Sequence, residues 1–333
     1  MPDRMTQIQQ WLSQVLGVAG VTLTPASADA SFRRYFRVQA PDAPSRILMD
    51  APPDRETTAP FVKIAKLLAG MGVSAPRILA EDAGQGFLLL TDMGDTQYAQ
   101  VLNEQNVDAL YTDAFAALMR LQTAKPDSYR DLPLYDEALL LRELGIFREW
   151  LLENYLGLKL SAEQDAMYFQ VCQVLIRNAL EQPRVFVHRD YHSRNLMVLE
   201  QDNPGILDFQ DAVVGPVTYD LVSLLRDCYV AWPPAQVQQW ARVYWQRLGD
   251  AGVINVPWEV FRRWFDLMGM QRHLKAAGIF TRLQQRDGKD GYIKDIPRTL
   301  AYVMQVCKSY PEFAVFAGFL AGRVLPAFEE DAA

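Results

Sequence analysis

The chain has 333 residues, of which 50% are hydrophobic and 22% are charged, and its formal net charge is −7. This composition is typical of a globular protein, and the length favours two lobes over a single core. A negative chain has no overall field to attract nucleic acid or an anionic membrane, so we expect neither partner. Any anionic ligand must be held by local groups such as backbone N–H, a metal ion or a few Arg and Lys side chains.

Three widely spaced cysteines, Cys172, Cys228 and Cys307, give neither a disulfide framework nor a zinc pattern. We expect them to be buried thiols in a reducing compartment. The N-terminus carries acidic and amide residues where a signal peptide needs an apolar stretch. Residues 313–328 are apolar but few and include Arg323, which predicts a buried helix rather than a membrane span. The sequence therefore predicts a cytoplasmic protein.

The N-terminal part of the chain predicts a small α+β lobe. Residues 5–16 carry apolar side chains at helical spacing, and Gly17 predicts the end of that helix. Short β-type runs follow, interrupted after the third by an amphipathic helical segment at 59–69. The predicted strands are 21–23, 35–38, 47–49, 77–79 and 87–90.

The character of the chain changes after the segment TDMGD at 91–95. Helical periodicity then recurs in seven segments, which are 107–122, 139–155, 162–180, 219–230, 235–248, 258–283 and 297–310. The β-type runs in this half are short and lie at 185–187, 196–199 and 206–207. We therefore predict a boundary near Asp92, with a β-rich lobe at 1–92 and a larger, mainly helical lobe at 93–333.

The stretch FVHRDYHSRNLMV at 186–198 places a polar loop between two apolar runs, and GILDF at 205–209 follows a turn. We expect this pattern to bring Asp190, Asn195 and Asp208 together at the ends of paired strands. Phosphoryl transfer from ATP needs one carboxylate to orient the acceptor hydroxyl and take its proton, and an amide and a second carboxylate to hold Mg²⁺. Either motif alone is as often a local backbone cap. The two together, after a β-rich lobe, favour kinase chemistry.

The stretches HRDYHSRN and ILDFQD resemble the aminoglycoside phosphotransferase and choline kinase-like family, whose members are relatives of protein kinases. The resemblance implies a two-lobed, protein-kinase-like α+β fold, with Asp190 as the catalytic base and His188 as a support of its loop. It implies Asn195 and Asp208 as Mg²⁺ ligands. It also implies that Asp220 braces the catalytic loop, although a simple carboxylate at a helix N-terminus fits that residue equally well.

A polypeptide acceptor is disfavoured by the residues on the C-terminal side of the second motif. Only twelve positions separate Asp208 from Asp220, DFQ stands in place of DFG, and Ala-Pro-Glu is absent. No activation segment fits into this interval. The acceptor should therefore be a small molecule.

The nucleotide side of the sequence gives a weaker signal, because neither a Walker A pattern nor G-x-G-x-x-G is present. The candidate phosphate loop is SADASFRRYFRV at 27–38, where Ser27 and Ser31 replace glycines and Arg33 follows. Small residues and hydroxyls allow close approach to phosphate. A plain hairpin turn fits the same residues.

The Lys expected on the third strand is missing, because that strand offers Met49 and Asp50. Arg33 and Arg46 are the alternative basic residues, and the sequence does not choose between them. The segment FLLLTDMGD resembles the linker whose backbone pairs with adenine in such kinases. This resemblance implies that three residues lie near the base: Thr91, Asp92 and Met93.

Basic residues near the predicted acceptor region favour an anionic or neutral polyol over a polycation. Arg272 and Lys275 are three apart on a predicted helix and so lie on nearly one face. A solvated basic face fits the same composition. Arg226 and Asp227 follow the catalytic region and suit sugar hydroxyls, and we take these four residues as candidate substrate contacts.

The stretches SFRRYFRV, ILMDAPP, GPVTYDLVSLLRD and QRHLKAAGIF resemble bacterial cell-wall recycling kinases. The resemblance implies that ATP and Mg²⁺ are cofactors and that an amino sugar is the acceptor. It implies phosphorylation of the anomeric hydroxyl of N-acetylmuramate and N-acetylglucosamine to sugar 1-phosphates. No obligate protein partner is indicated. The alternatives are an aminoglycoside- or choline-type phosphotransferase, or a catalytically inactive nucleotide-binding module.

Overall fold

The computed structural model describes residues 3–18, 20–28 and 32–330. The chain forms two compact units, the first comprising Met1–Ala117 and Asn195–Asp211 and the second Leu118–Arg194 and Ala212–Ala333. An antiparallel sheet dominates the first unit and helices dominate the second, which confirms the predicted α+β class. The proposed division of functions at Asp92 stays a prediction.

The first unit is built on a five-stranded antiparallel sheet with strand order β1-β2-β3-β5-β4. Its strands are β1 (Thr22–Ala28), β2 (Arg34–Gln39), β3 (Arg46–Asp50), β4 (Ile78–Asp82) and β5 (Phe87–Thr91). Helix α2 (Ala59–Gly70) lies between β3 and β4 in the chain, at the predicted place.

Helix α1 (Arg4–Leu16) forms where the sequence supplies both ends. The Asp3 side chain accepts a hydrogen bond from the backbone N–H of Thr6 at 2.9 Å, and Gly17 ends the helix in the left-handed conformation. The helix buries its apolar stripe against the sheet, in a cluster of Ile8, Trp11, Leu12, Val38, Leu48, Phe87 and Leu89. Burying each large apolar side chain of this cluster stabilises the folded state by about 1.5–3 kcal/mol.

The remaining elements of the first unit are two helices and a hairpin, and the hairpin contains the start of the GILDF stretch. Helices α3 (Tyr98–Val101) and α4 (Val107–Gln122) follow the sheet, and α4 continues into the second unit. Strands β7 (Leu196–Met197) and β8 (Gly205–Ile206) form an antiparallel hairpin. The hairpin is joined to the rest of this unit by a hydrogen bond from the Ile206 N–H to the Ser74 carbonyl at 2.7 Å.

The second unit is mainly helical around one short strand pair. Strand β6 (Arg184–Val187) pairs antiparallel with β9 (Val213–Pro216), a strand that the sequence patterns did not predict. The helices are α5 (Pro126–Tyr129), α6 (Glu137–Ile146), α7 (Ala162–Leu180), α8 (Tyr219–Leu225), α9 (Pro234–Asp250), α10 (Trp258–Asp287), α11 (Ile296–Ser309), α12 (Ala314–Phe319) and α13 (Leu325–Glu330). A π-helical segment, Phe147–Tyr155, continues α6. Helix α10 packs against this segment, α7, α8 and α11, so it forms the centre of the unit.

The apolar segment near the C-terminus differs from the predicted buried helix. Residues Pro311–Phe328 are long and apolar enough to span a membrane by length and composition alone, which is weak evidence for a span. One side of the segment is buried in the second unit, where Phe316 lies 6.0 Å from the ring of Tyr168. The other side is exposed, and Val315 there is 72% accessible. The segment is therefore an amphipathic surface element of this unit.

The closest helix approach in the second unit requires a glycine. A Cβ on Gly278 of α10 would lie 2.5 Å from the Ile146 carbonyl oxygen and 2.8 Å from the Phe147 nitrogen, where the π-helical segment begins. Neither backbone atom can move away as a flexible side chain would. The same substitution at Gly145 of α6 meets no atom within 4 Å.

We predict that Gly278→Ala lowers the free energy of unfolding by about 1–3 kcal/mol, because it overpacks a helix contact. The matched variant Gly145→Ala should raise it by up to about 1 kcal/mol through helix propensity. Denaturant unfolding of both variants and the wild type checks this. Equal stability of the two variants would contradict the close approach.

Candidate active site

The first sequence motif forms a loop that leaves the end of β6, residues 188–195, here called the polar loop. Its first turn places Arg189 at a φ of +79°, in the left-handed region that costs a non-glycine residue about 1–2 kcal/mol. The carboxylate of Asp220 compensates by accepting hydrogen bonds from the backbone N–H of His188 at 2.7 Å and of Arg189 at 3.0 Å. These two bonds hold the turn in its strained conformation.

Asp220 occupies the first turn of α8 and is completely buried. Burial raises the pKa of its carboxyl group to about 7, although the two backbone hydrogen bonds and the charge of Arg272 act in the opposite direction. The cost of burying this carboxyl group is offset because it accepts hydrogen bonds from two backbone N–H groups that would otherwise lack a partner. The contact explains physically how a helix start can brace the polar loop.

Asp190 follows the strained turn. Its backbone N–H donates to Nδ1 of the buried His188 at 3.2 Å, so Nδ1 carries no proton and the imidazole is neutral. Burial raises the pKa of the Asp190 carboxyl group, but neighbouring groups lower it by more, and the net shift is below the ordinary value. The cations among these neighbours are Lys275, Arg272 and Arg189. Asp190 is therefore ionised at neutral pH and can accept a proton or a hydrogen bond.

A buried carboxylate that the sequence analysis missed organises the cations beside Asp190. Glu143 of α6 is 2% exposed, and its Oε1 pairs with Arg189 at 2.5 Å and with Lys275 Nζ at 2.8 Å. Its Oε2 accepts from the Tyr135 hydroxyl and from Gln271 Nε2 at 3.1 Å. Burial opposes its ionisation, but the charges of Lys275 and Arg189 lower its pKa to about 2. Glu143 is therefore a permanent counter-charge.

The candidate substrate residues fall into two groups. Lys275 and Arg272 both lie over the ring of Tyr219, at 5.9 Å and 5.5 Å from its centroid, and the charges of both lower the pKa of Asp190. Arg226 instead forms a buried ion pair with Asp266 and lies 4.6 Å from the Phe265 ring centroid.

Asp227 is buried and holds backbone. Its two carboxylate oxygens accept from the N–H of Ser193 at 2.9 Å and of Tyr229 at 2.8 Å. The structure thus places Asp227 as a second support of the polar loop. The proposed substrate contacts of Asp227 and Arg226 stay predictions, and the contacts described here occupy both side chains.

In the first unit, the hairpin of β7 and β8 brings Asn195 and Asp208 together. Asn195 Nδ2 lies 3.4 Å from Asp208 Oδ2, and the N–H of Leu207 donates to the Asn195 carbonyl at 2.9 Å. Asp208 has a φ of +60°, in the left-handed region that few non-glycine residues adopt, and Gln210 Nε2 donates to its Oδ1 at 2.7 Å. An amide and a carboxylate are oxygen donors of the type that Mg²⁺ prefers. The donor set fits a magnesium site, with the Asn195 amide turned to present its oxygen.

The predicted nucleotide residues lie in the first unit. Ser31 lies outside the described residues, and only the backbone of Ser27 is described, at the β1 position opposite Tyr35. Arg33 is nearly buried and its Nε donates to Glu56 Oε1 at 2.7 Å. Their contacts with a nucleotide stay predictions.

The predicted adenine linker is tied down by its own side chains. Thr91 Oγ1 accepts from the Arg77 N–H at 2.9 Å. The Asp92 carboxylate accepts from Arg37 Nε and Ser45 Oγ, each at 2.7 Å. Met93 follows, and its sulfur lies 3.3 Å from where a Cβ on Gly205 would stand.

The third strand shows what replaces the expected Lys. Asp50 is fully buried at the end of β3 and pairs with Arg34 and with Arg4, whose Nη2 is 2.6 Å from its Oδ1. The position therefore serves an ion-pair cluster that ties α1 and β2 to β3. Arg46, at the start of β3, pairs in register with Thr91 of β5.

Comparison with known proteins identifies the family of the chain. A model of the phosphotransferase enzyme family matches residues 22–253. The chain is 48% identical over 329 residues to the N-acetylmuramate/N-acetylglucosamine kinase of Pseudomonas aeruginosa, covering 96% of each chain. It is 43% identical over 317 residues to the enzyme of that name from Neisseria meningitidis, covering 94% of this chain and 93% of that one.

Solved structures of low sequence identity share the fold. An ethanolamine kinase of Plasmodium vivax superimposes with a TM-score of 0.65 at 11% identity, covering 91% of this chain and 90% of that one. The aminoglycoside phosphotransferase APH(2″)-IIa, in a ternary complex with streptomycin and ATP, has a TM-score of 0.60 at 15% identity, covering 90% and 97%. These similarities confirm the kinase-like fold that HRDYHSRN and ILDFQD predicted. The chain belongs to the phosphotransferase enzyme family.

Proposed function

We propose that this protein transfers the γ-phosphoryl group of ATP to the anomeric hydroxyl of N-acetylmuramate and N-acetylglucosamine. The observation that carries the proposal is the ionised carboxylate of Asp190 with the Arg272 guanidinium as a neighbour, because Glu143 pairs with the two other nearby cations, Arg189 and Lys275. Arg272 would repel a polycationic aminoglycoside or a choline head group, whereas it would attract an anionic sugar and tolerate a neutral one. The names of the relatives that are 43–48% identical agree with this acceptor class.

Asp190 would act as the base for the acceptor. An anomeric hydroxyl is more acidic than an ordinary sugar alcohol, so a carboxylate of low pKa can orient it and accept its proton late in the transfer. The His188 ring accepts the backbone N–H of Asp190, and Asp220 accepts those of the two preceding residues, so the carboxylate need not reorganise during reaction.

Asn195 and Asp208 would hold Mg²⁺, which when bound neutralises the charge that develops on the transferring phosphates. Asp208 is the stronger donor, because its carboxylate carries a full charge and Gln210 fixes one of its oxygens. The residues Thr91, Asp92 and Met93 remain the proposed contact of the adenine.

A sugar 1-phosphate is a suitable substrate for a following nucleotidyl transfer. In that reaction its phosphate attacks the α-phosphorus of a nucleoside triphosphate, pyrophosphate leaves, and a nucleoside diphosphate sugar forms. We propose that the protein works in such a salvage route for cell-wall sugars. ATP is available in the cytoplasm, and the three buried free thiols, Cys172, Cys228 and Cys307, fit a reducing compartment.

Incubation of the wild type with Mg·ATP and a panel of acceptors should give a product from the two N-acetyl amino sugars. We expect ³¹P and ¹H NMR to show a 1-phosphate, which has no free hemiacetal and no reducing activity. The panel includes an aminoglycoside, choline and ethanolamine. A reducing 6-phosphate would contradict the anomeric assignment, and turnover restricted to a cationic acceptor would favour an antibiotic- or choline-type kinase. Failure to turn over any acceptor would favour an inactive module.

Asp208→Ala should weaken Mg·ATP binding by at least about 10-fold and abolish turnover, while acceptor binding changes little, because this carboxylate would hold the Mg²⁺ that neutralises charge on the phosphates. Isothermal titration of Mg·ATP and of the sugar separates the two effects. Glu200→Ala is the matched control, since it removes an exposed carboxylate of the same hairpin. Unchanged Mg·ATP affinity in the Asp208 variant would show that the assignment of this ligand is wrong.

A further inference from the structure

The three cations that the sequence offered for an acidic acceptor differ in their partners. Lys275 Nζ is paired with Glu143 at 2.8 Å and donates to the Tyr219 hydroxyl at 3.2 Å. Arg226 is paired with Asp266. Arg272 is only 7% exposed, yet among the described residues it has neither an ion pair nor a hydrogen bond, and its buried Nε has no partner. Nη1 of Arg226 also lacks a hydrogen bond, so what distinguishes Arg272 among these three cations is that it has no ion pair among the described residues.

The surroundings of Arg272 place it on the acceptor side of the polar loop. Its guanidinium lies 5.5 Å from the Tyr219 ring centroid, on α10 one helical turn before Lys275. Lys275 shares Glu143 with Arg189, the residue before Asp190, which places this part of α10 beside the polar loop. The charge of Arg272 accordingly helps to lower the pKa of the Asp190 carboxyl group. The base contacts the acceptor during transfer, so a group beside the base lies beside the acceptor as well.

The buried Nε of Arg272 is costly, because this N–H donor has lost water and gained no hydrogen bond. The aromatic face and the nearby carboxylates offset part of the cost by their charge, but they satisfy none of the donors. The planar fork of donors matches an anion with two coplanar oxygens, and a carboxylate is the simplest such group.

We propose that Arg272 binds the lactyl carboxylate of N-acetylmuramate and so sets the preference for this sugar over N-acetylglucosamine, which lacks that group. The inference rests on the proposed function and assigns one residue to one part of one substrate. When N-acetylglucosamine is bound, Arg272 has no carboxylate of the substrate to pair with. The Tyr219 ring and the neighbouring carboxylates then stabilise its buried charge in part.

The test compares kcat and KM for both sugars in the wild type and in Arg272→Met. We expect kcat/KM for N-acetylmuramate to fall on the order of 10²-fold, mainly through KM, because a desolvated charge pair loses one partner. The value for N-acetylglucosamine should change less than about 3-fold. Arg272→Lys should give an intermediate loss, since it keeps the charge and loses the fork. Arg262→Met, which removes an exposed cation of the same helix, is the matched control and should leave both sugars unaffected.

A chemical counterpart keeps the test decisive if the Met variant fails to fold. Wild-type enzyme should discriminate against the lactyl methyl ester of N-acetylmuramate, whereas Arg272→Lys should discriminate less. A kcat loss of equal size for both sugars would assign Arg272 to the transferring phosphate, and an unchanged ratio of the two sugars would leave it without a role in selectivity; either result overturns this inference while the proposed function stands. A wild type that phosphorylates neither sugar overturns the proposed function itself.

Discussion

The double hydrogen bond from the polar loop to Asp220 is the contact on which the acceptor side of this protein depends. A buried carboxylate at the start of α8 holds the N–H groups of His188 and Arg189, and it thereby maintains the left-handed turn that directs Asp190. The two bonds act on backbone N–H groups and do not involve the side chains of the loop. His188 accepts the next N–H, and Asp227 accepts that of Ser193 further along. The loop is thus supported by buried side chains from α8 and its C-terminal end.

Charge balance is the second constraint. Arg189 and Lys275 share Glu143, which therefore stays ionised with a pKa of about 2. Without this carboxylate, both cations would be left to pair with Asp190 and would compete with the acceptor hydroxyl for its oxygens. Glu143 thus allows cations to lower the pKa of Asp190 while leaving that carboxylate available. Tyr135 and Gln271 fix Glu143 in turn, which ties α6 to α10.

Much of this arrangement could be predicted from local sequence patterns, because residues that are close in one loop or hairpin are also close in space. Asn195 and Asp208 are of this kind, and helical periodicity located most helices. Glu143 was missed because it meets Arg189 across 46 positions, and nothing in EALLLRELG distinguishes a buried carboxylate from a solvated one. Strand β9 was missed because VVGP is too short for a period to be counted. The sequence analysis grouped Arg226 with Arg272 as candidate substrate contacts. Only the packing shows that Arg226 is paired with Asp266, whereas Arg272 has no ion pair among the described residues.

The central claim is that Asp190 acts as an ionised base whose position is fixed by backbone contacts, and Asp190→Asn tests it most directly. This variant keeps the size of the side chain and the N–H bond to His188, so fold and Mg·ATP affinity should match the wild type. The turnover number with N-acetylmuramate should fall by about 10²- to 10⁴-fold, as is usual for loss of a general base. The exposed Asp250→Asn serves as the control. A turnover number close to that of the wild type would contradict the account and remove Asp190 from the reaction.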